Sequence, residues 1–331
     1  MTRVPYRELM DVLRGVLLRA AFAPDRADLC ARLFADASRD GVASHGLNRF
    51  PRFMEMIHLG VIDVAATPVR VSSAGVLERW DGRRGPGNLN AHACMETAIA
   101  LARHHGIAAV ALSNTNHWMR GGNYGWQAAE AGVIGICWTN TLANMPPWGA
   151  AVPRVGNNPL VIAVPRRQGA VVLDMAMSQF SFGALESYRR RNEPLPVPGG
   201  YDESGELTRD AGAIEASRRP LPIGFWKGSG LAIMLDIVAT VLADGRATHE
   251  ISRDPLRETD LSQVFIAVDP EPLGGPQALS AVERIVHDLH ATPGDGGPPR
   301  FPGERTLDTR AQNMAEGIPV DPEIWEAVMR M

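Results

Sequence analysis

From about residue 69 to residue 176 the chain alternates short β-rich runs with helical stretches, and nothing else in the sequence constrains the fold as much. The runs are VRVSS, VLERWDG, IAAVALSN, VIGICWTN, LVIAVP and AVVLDMA, with helices expected near residues 90–104 and 124–130. Strands that alternate with helices bury those helices on a sheet, so the spacing predicts an α/β protein in which a sheet carries packed helices. One more buried strand is expected at residues 263–268, followed by a helix at about 277–290.

The flanks have a different texture. Residues 6–21 set Leu9, Met10, Leu13, Val16, Leu17 and Ala20 at helical spacing, and residues 25–39 repeat the pattern with Leu29, Cys30, Leu33, Phe34 and Ala37. A third short helix with Phe50, Phe53, Met54 and Ile57 on one side ends at Gly60. Helical patterns return at residues 181–191 and 230–243, which look inserted between strands of one sheet. The expected division is a mainly helical domain from residues 1–74 with 176–258, beside a sheet-containing domain from residues 75–175 with 259–331. Residues 194–224 and 292–303 are crowded with Pro and Gly and read as long loops, and no internal repeat is found.

Composition removes several classes of function. With 331 residues, 45% hydrophobic and 21% charged, the chain is of ordinary globular make-up and long enough for two domains. Its net charge of -4, with Lys and Arg spread along the sequence, lacks the basic stripe that nucleic acid or a membrane surface would demand, so neither is an expected partner. The three cysteines, Cys30, Cys94 and Cys137, are far apart and suit a reducing cytoplasm. The N-terminus has no apolar signal core. The apolar stretch 230–243 falls short of the roughly 20 residues of a membrane span and contains Asp236, so it is expected to be a buried helix.

Chemistry concentrates in a few places. Ser44-His45-Gly46 followed one helical turn later by Arg49 sets a group that titrates near neutral pH beside a permanent cation. Reduction of a 2-oxo acid needs both, a proton donor at the carbonyl oxygen and a guanidinium on the neighbouring carboxylate. Taken alone, the same spacing fits a helix-capping histidine and a surface arginine equally well. Residues 114–126 bring Asn, His and Arg, including His117, to the end of an expected strand, where α/β proteins contact ligands. Asp174 ends the strand AVVLD, where it could orient His45, accept a hydrogen bond from a ribose or amide, or cap a helix before Ser178. Trp226-Lys227-Gly228-Ser229-Gly230 opens a helix, and would offer free backbone N–H groups and a lysine to a phosphate unless it is only a loop. His92, His104, His105 and His117 show no ligand spacing, and the adjacent His104 and His105 should not face one way, so no metal is expected. A G-x-G-x-x-G fingerprint is missing, since GPGNLN at 85–90 and GSGLAI at 228–233 both lack the third glycine, and the Walker pattern is missing too.

These stretches together resemble the malate/L-lactate dehydrogenase family of the type without a Rossmann fold. The resemblance runs through essentially the whole chain and is densest at 44–53, 116–140, 145–150, 157–160, 173–183 and 225–231, with HWMRGG marking one subgroup. It implies a mixed sheet with packed helices that binds its dinucleotide on a non-Rossmann scaffold, together with a mainly helical second domain. It also implies His45 as proton donor, with Ser44, Arg49 and His117 around the substrate; Asp174, or Ser44, is expected to steady the protonated ring, which makes Asp174 the second catalytic candidate. Cofactor contacts are implied for Ala170, Val171, Val172, Leu173, Asp174, Met175 and Ala176, for Trp226 and Lys227, and for the loop Gly303-Glu304-Arg305. Nearer members of the family carry His-Glu after that glycine, so cofactor choice is open here, with NAD favoured and NADP tolerated. The activity implied is NAD(P)-dependent reduction of a sugar acid or another small 2-oxo acid or cyclic imino acid, by a cytoplasmic homodimer. A metal-dependent hydrolase or lyase using the histidines is the alternative from another class.

Overall fold

The computed structural model describes residues 2–294 and 297–331; Asp295 and Gly296, within the breaker-rich 292–303 segment, lie outside the described residues. The chain opens with β1 (Thr2–Val4), α1 (Tyr6–Arg19), α2 (Pro24–Arg39), two 3-10 turns (Ala43–His45 and Leu47–Arg49) and α3 (Phe50–His58). Next come β2 (Val69–Ala74), β3 (Leu77–Asp81), α4 (Gly87–His105), β4 (Ile107–Thr115), α5 (Gly122–Glu130), β5 (Ile134–Thr139), β6 (Leu160–Val164) and β7 (Val171–Met175). A third stretch holds α6 (Phe182–Arg191), β8 (Gly200–Tyr201), β9 (Leu207–Thr208), α7 (Ala211–Ser217), α8 (Trp226–Ala243) and α9 (Thr248–Ile251). The chain finishes with β10 (Leu261–Val268), α10 (Gly275–Ala291), α11 (Glu304–Glu316), β11 (Ile318–Val320) and α12 (Pro322–Met329).

Seven strands form one mixed sheet in the order β2-β3-β4-β10-β5-β6-β7, with β3 and β4 parallel and the other neighbours antiparallel. Side-chain alternation along the central strand β10 shows how both faces are covered. Phe265 and Ala267 point into a core shared with Ala91, Met95 and Ala98 of α4 and Tyr124 of α5. Val264 lies with Ala232, Leu235 and Ala239 of α8 on the other face. The expected α/β class with sheet-packed helices is what the chain adopts, and the sheet follows none of the Rossmann connectivity.

Packing groups the segments differently from the expected division. Helices α1–α3 share one core with Ile318, Val320, Trp325 and Val328, and β1 pairs antiparallel with β11, so the C-terminus belongs with the N-terminal helices. Helix α8 packs on the sheet instead of joining them. Residues 69–74, assigned to the helical part, form the edge strand β2. The breaker-rich residues 194–224 fold as the hairpin β8–β9 and α7, with Leu195, Ala211 and Ile214 packed on Leu185 of α6. Turn-forming residues here build a small core of their own, which a tally of Pro and Gly hides.

The expectation of a buried helix at 230–243 is also corrected. It begins at Trp226, and at 18 residues is long and apolar enough to cross a membrane by length and composition. It lies instead on the sheet through Gly228, Ser229, Ala232, Leu235, Ala239 and Ala243, with Asp236 accepting from Asn140 Nδ2 and the Thr248 N–H. Its outer face stays open, with Met234 53%, Ile237 48% and Val241 71% exposed. A helix apolar all round can bury only one side on a sheet, so the other side needs a cover.

Candidate active site

A cleft of about 630 Å³ is lined by the 3-10 turns after α2, the loop between β4 and α5, the end of β7 and the loop before β10. His45, Ser44, Arg49, His117 and Asp174 all line it, so three separate sequence stretches contribute five residues to one space. The turn carrying His45 is held against α2 by Ser38, whose Oγ accepts the Leu47 N–H at 2.8 Å and donates to Phe34 O at 3.1 Å. A Cβ on Gly46 would sit 2.2 Å from that oxygen, so Gly46 is needed for the close pass of backbone over α2.

Ser44 Oγ lies 3.0 Å from His45 Nδ1, and the His45 ring stacks on His117 with centroids 5.8 Å apart. Burial lowers the proton affinity of His45; Asp174 opposes that, Arg49 adds to it, and Glu258 opposes it again. His117 is pushed well below the usual value by burial, then by Arg49 and His45, and its Nδ1 accepts the Met119 N–H at 3.0 Å, which leaves the ring proton on Nε2. This loop is tightly seated. Asn116 Nδ2 donates to Arg84 O and Gly85 O, Met119 adopts φ 65, and a Cβ on Gly87 would come within 2.1 Å of Asn116 O.

Asp174 does not hydrogen-bond His45. Its Oδ2 accepts the Gly122 N–H at 2.9 Å at the start of α5 and stands 3.8 Å from Arg120 Nε. It therefore caps a helix, though not the one before Ser178, and reaches His45 only through its charge. A Cβ on Gly122 would approach Asp174 Oδ2 to 2.6 Å, so this seat demands glycine.

Two groups escaped sequence reasoning. Glu258, on the loop before β10, puts Oε2 at 2.5 Å from Arg49 Nη2 and Oε1 at 3.9 Å from His117 Nε2. Beneath the cleft, the buried Asp40 receives Arg39, Arg120 and Arg310 at 2.6–2.8 Å. Burial would raise the Asp40 carboxyl, yet hydrogen bonds from Arg310 and Arg39 and the charge of Arg120 outweigh it and hold it at about 2. No motif announces Glu258, whereas Arg120 belongs to the singled-out 114–126 stretch.

The implied cofactor segments also meet. Val172 N–H donates to Pro302 O at 2.9 Å, and a Cβ on Gly303, which has φ 91, would stand 3.1 Å from the Val172 backbone and 3.5 Å from the Trp126 ring. The buried Trp126 Nε1 at this junction has no partner among the described residues. Glu304 is held by His290 Nε2 at 3.1 Å and the Phe301 N–H at 3.2 Å, while Arg305 is exposed. Residues 177–179, which continue β7, bridge to 221–223 just before Trp226 and Lys227, both exposed at the start of α8. The expected free N–H groups there are mostly taken: Lys227, Gly228 and Ser229 donate to Gly224, Ile223 and Phe225 carbonyls. The tight turn at Phe225, φ 59, consumes them. His92, His104 and His105 stand apart from the cleft lining; the last two rings do meet edge-on, 4.6 Å apart, against the expectation that they diverge.

The cleft sets an imidazole beside a guanidinium on a mixed sheet without Rossmann connectivity, and comparison with known proteins gives the class. The chain belongs to the malate/L-lactate dehydrogenase family, whose pattern matches residues 4–329. Among curated relatives, the 2,3-diketo-L-gulonate reductase of Escherichia coli (strain K12) is 45% identical over 99% of this chain and 100% of that one. The delta1-piperideine-2-carboxylate reductase of Pseudomonas syringae pvar. tomato superposes with TM-score 0.88 at 30% identity, covering 100% of this chain and 99% of that one. Sulfolactate dehydrogenase from Methanocaldococcus jannaschii superposes with TM-score 0.89 at 26% identity over 99% and 95% of the two chains.

Proposed function

We infer that the protein reduces 2,3-diketo-L-gulonate to 3-dehydro-L-gulonate with NADH, tolerating NADPH. The observation that carries this reading is the joint presence of His45 and Arg49 in one cleft, and the 45% identity to the E. coli reductase supports the choice of substrate. Residues 170–176, Trp226, Lys227 and the Gly303–Arg305 loop are the groups that would hold the dinucleotide. The close pass of Gly303 over the Val172 backbone brings two of these segments together, and Trp126 Nε1 beside them, without a partner among the described residues, leaves a donor for a polar ligand. Glu304, already fixed by His290, suits a ribose 2'-hydroxyl and hence NAD. A bound dihydronicotinamide supplies the hydride that the carbonyl carbon takes up.

The protein's own part is to bind, orient and protonate. Arg49 grips the substrate carboxylate, helped by the Nε2–H of His117. Ser44 Oγ accepts from protonated His45 at Nδ1, which leaves the Nε2 proton for the oxygen on which negative charge develops. Asp174 steadies the imidazolium by charge. A depressed proton affinity makes His45 a stronger acid, and a bound carboxylate beside Arg49 favours its protonation at the moment of use.

Steady-state reduction of 2,3-diketo-L-gulonate beside pyruvate and oxaloacetate, each with NADH and NADPH, tests the reading. A catalytic preference for another oxo acid would replace the substrate, and the 30% identity to the piperideine-2-carboxylate reductase makes a cyclic imino acid the second compound to try. Arg49→Lys keeps the charge but loses the planar fork, so KM for the oxo acid should rise about tenfold to a hundredfold with the affinity for NADH unchanged. An unchanged KM would remove Arg49 from the binding site.

The proposed protein is a cytoplasmic homodimer in which a second copy covers the outer face of α8. Sedimentation equilibrium should give twice the monomer mass, and a monomer at micromolar concentration would overturn this.

A further inference from the structure

We propose that the Glu258 carboxylate is a charge filter, admitting 2-oxo acids with a neutral, hydroxyl-bearing tail and turning away those with a second anionic group. The inference rests on the oxo-acid reading above and adds what selects among such acids. Four carboxylates line the cleft, Asp174, Glu186, Glu215 and Glu258, against three guanidinium groups, Arg49, Arg52 and Arg120; Glu186 and Glu215 are paired with Arg190 and Arg189 outside the lining. Two of the three lining cations are already committed. Arg120 is buried with Nη1 on Asp40 and its Nε 3.8 Å from Asp174 Oδ2, and Arg52 is given to Glu55 and to Leu256 O. Both histidines have depressed proton affinity, so neither adds a fixed positive charge to the resting site.

Arg49 alone remains for an incoming carboxylate, and Glu258 is its one hydrogen-bonded partner among the described residues. A substrate with one carboxylate can share or take over that guanidinium. A second anionic group on the tail finds, among the described residues of the cleft lining, no guanidinium without a carboxylate already beside it, and faces the Glu258 oxygens. Like charges about 5 Å apart at the effective dielectric of a protein cleft lower affinity by about a hundredfold. Hydroxyl groups meet the same oxygens as hydrogen-bond donors, and ionised acceptors make the stronger bonds. The placement of Glu258 is not a loose side chain's accident. Its loop is tied before it by Arg52 to Leu256 O, at 2.7 Å, and after it by the buried Asp260, gripped by Arg84 and Arg246 at 2.7–2.8 Å. A specificity group must be held in this way to discriminate.

The test compares kcat/KM for oxaloacetate, 2,3-diketo-L-gulonate and pyruvate in wild type, Glu258→Gln and Glu258→Ala. Pyruvate, with no polar tail, normalises any change at Arg49 itself. The oxaloacetate-to-pyruvate ratio should rise about tenfold or more in both variants, while the diketogulonate-to-pyruvate ratio falls. Ratios unchanged in both variants overturn the filter. Calorimetric affinities for oxamate, a monoanion, and L-malate, a dianion, give a second readout that needs no turnover. If wild type reduces none of the three acids, the oxo-acid reading fails. The filter then stands only if the malate-to-oxamate affinity ratio still rises in Glu258→Gln, and is overturned if it does not.

Discussion

His45→Ala should lower kcat for reduction by about a hundredfold to ten-thousandfold, the range a positioned general acid contributes, while NADH binds with nearly its original affinity. The split follows from the geometry. The ring sits between Ser44 and His117 in the cleft, whereas the implied dinucleotide segments meet at Val172 and Gly303. Steady-state turnover and fluorescence titration with NADH would read the two quantities separately.

The pH profile gives a sharper signature of the same group. Reduction needs His45 protonated, and burial lowers its proton affinity beneath the ordinary histidine value of 6.5. In the free enzyme the competent fraction then falls as pH rises, so kcat/KM for reduction should drop by about tenfold per unit between about pH 7 and about pH 9. The oxidative direction, which needs the neutral ring, should be level over that window. The reductive slope should vanish in His45→Ala, and a variant that kept both slope and turnover would end the assignment of the proton to this imidazole.

Much of the fold lies open in local sequence because local periodicity creates it. The alternating runs from residue 69 onward become β2 to β7, and Leu9, Leu13 and Leu17 do form a buried helical stripe. What escapes depends on distance. β1 and β11 are three-residue strands at opposite ends of the chain, each without meaning until the other is alongside. Helix α8 misleads for a related reason: an apolar stretch reports that it will be covered, not by what. The site divides in the same way. Ser44, His45, Arg49 and His117 stand in short unusual stretches and were legible as candidates. Glu258 lies between Arg257 and Thr259 in an irregular loop, and only the tertiary fold brings it to Arg49. Asp40 looks like an ordinary residue after a helix until Arg120 and Arg310 close on it.

That buried carboxylate should matter for stability as much as His45 does for chemistry. Asp40 is 1% exposed at its side chain and joins the end of α2 to Arg120 before α5 and Arg310 on α11, which ties the helical core to the sheet. Replacing it with Ala removes the counter-charge while Arg120, only 4% exposed, stays buried. Breaking a buried pair in this manner costs about 3–5 kcal/mol, because one charge is left unpaired away from water. Asp40→Asn restores shape without charge and should recover little of the loss. Urea unfolding at neutral pH measures both variants. The folded-state carboxyl titrates at about 2 against an ordinary 3.8, so its stabilisation is complete above about pH 4 and is lost as pH falls toward about 2. The gap between wild type and Asp40→Ala should therefore narrow by about 2 kcal/mol over that acid range. A gap under about 0.5 kcal/mol at neutral pH, or one that does not change with acid, would mean the three arginines find other partners and the tie is not where the structure puts it.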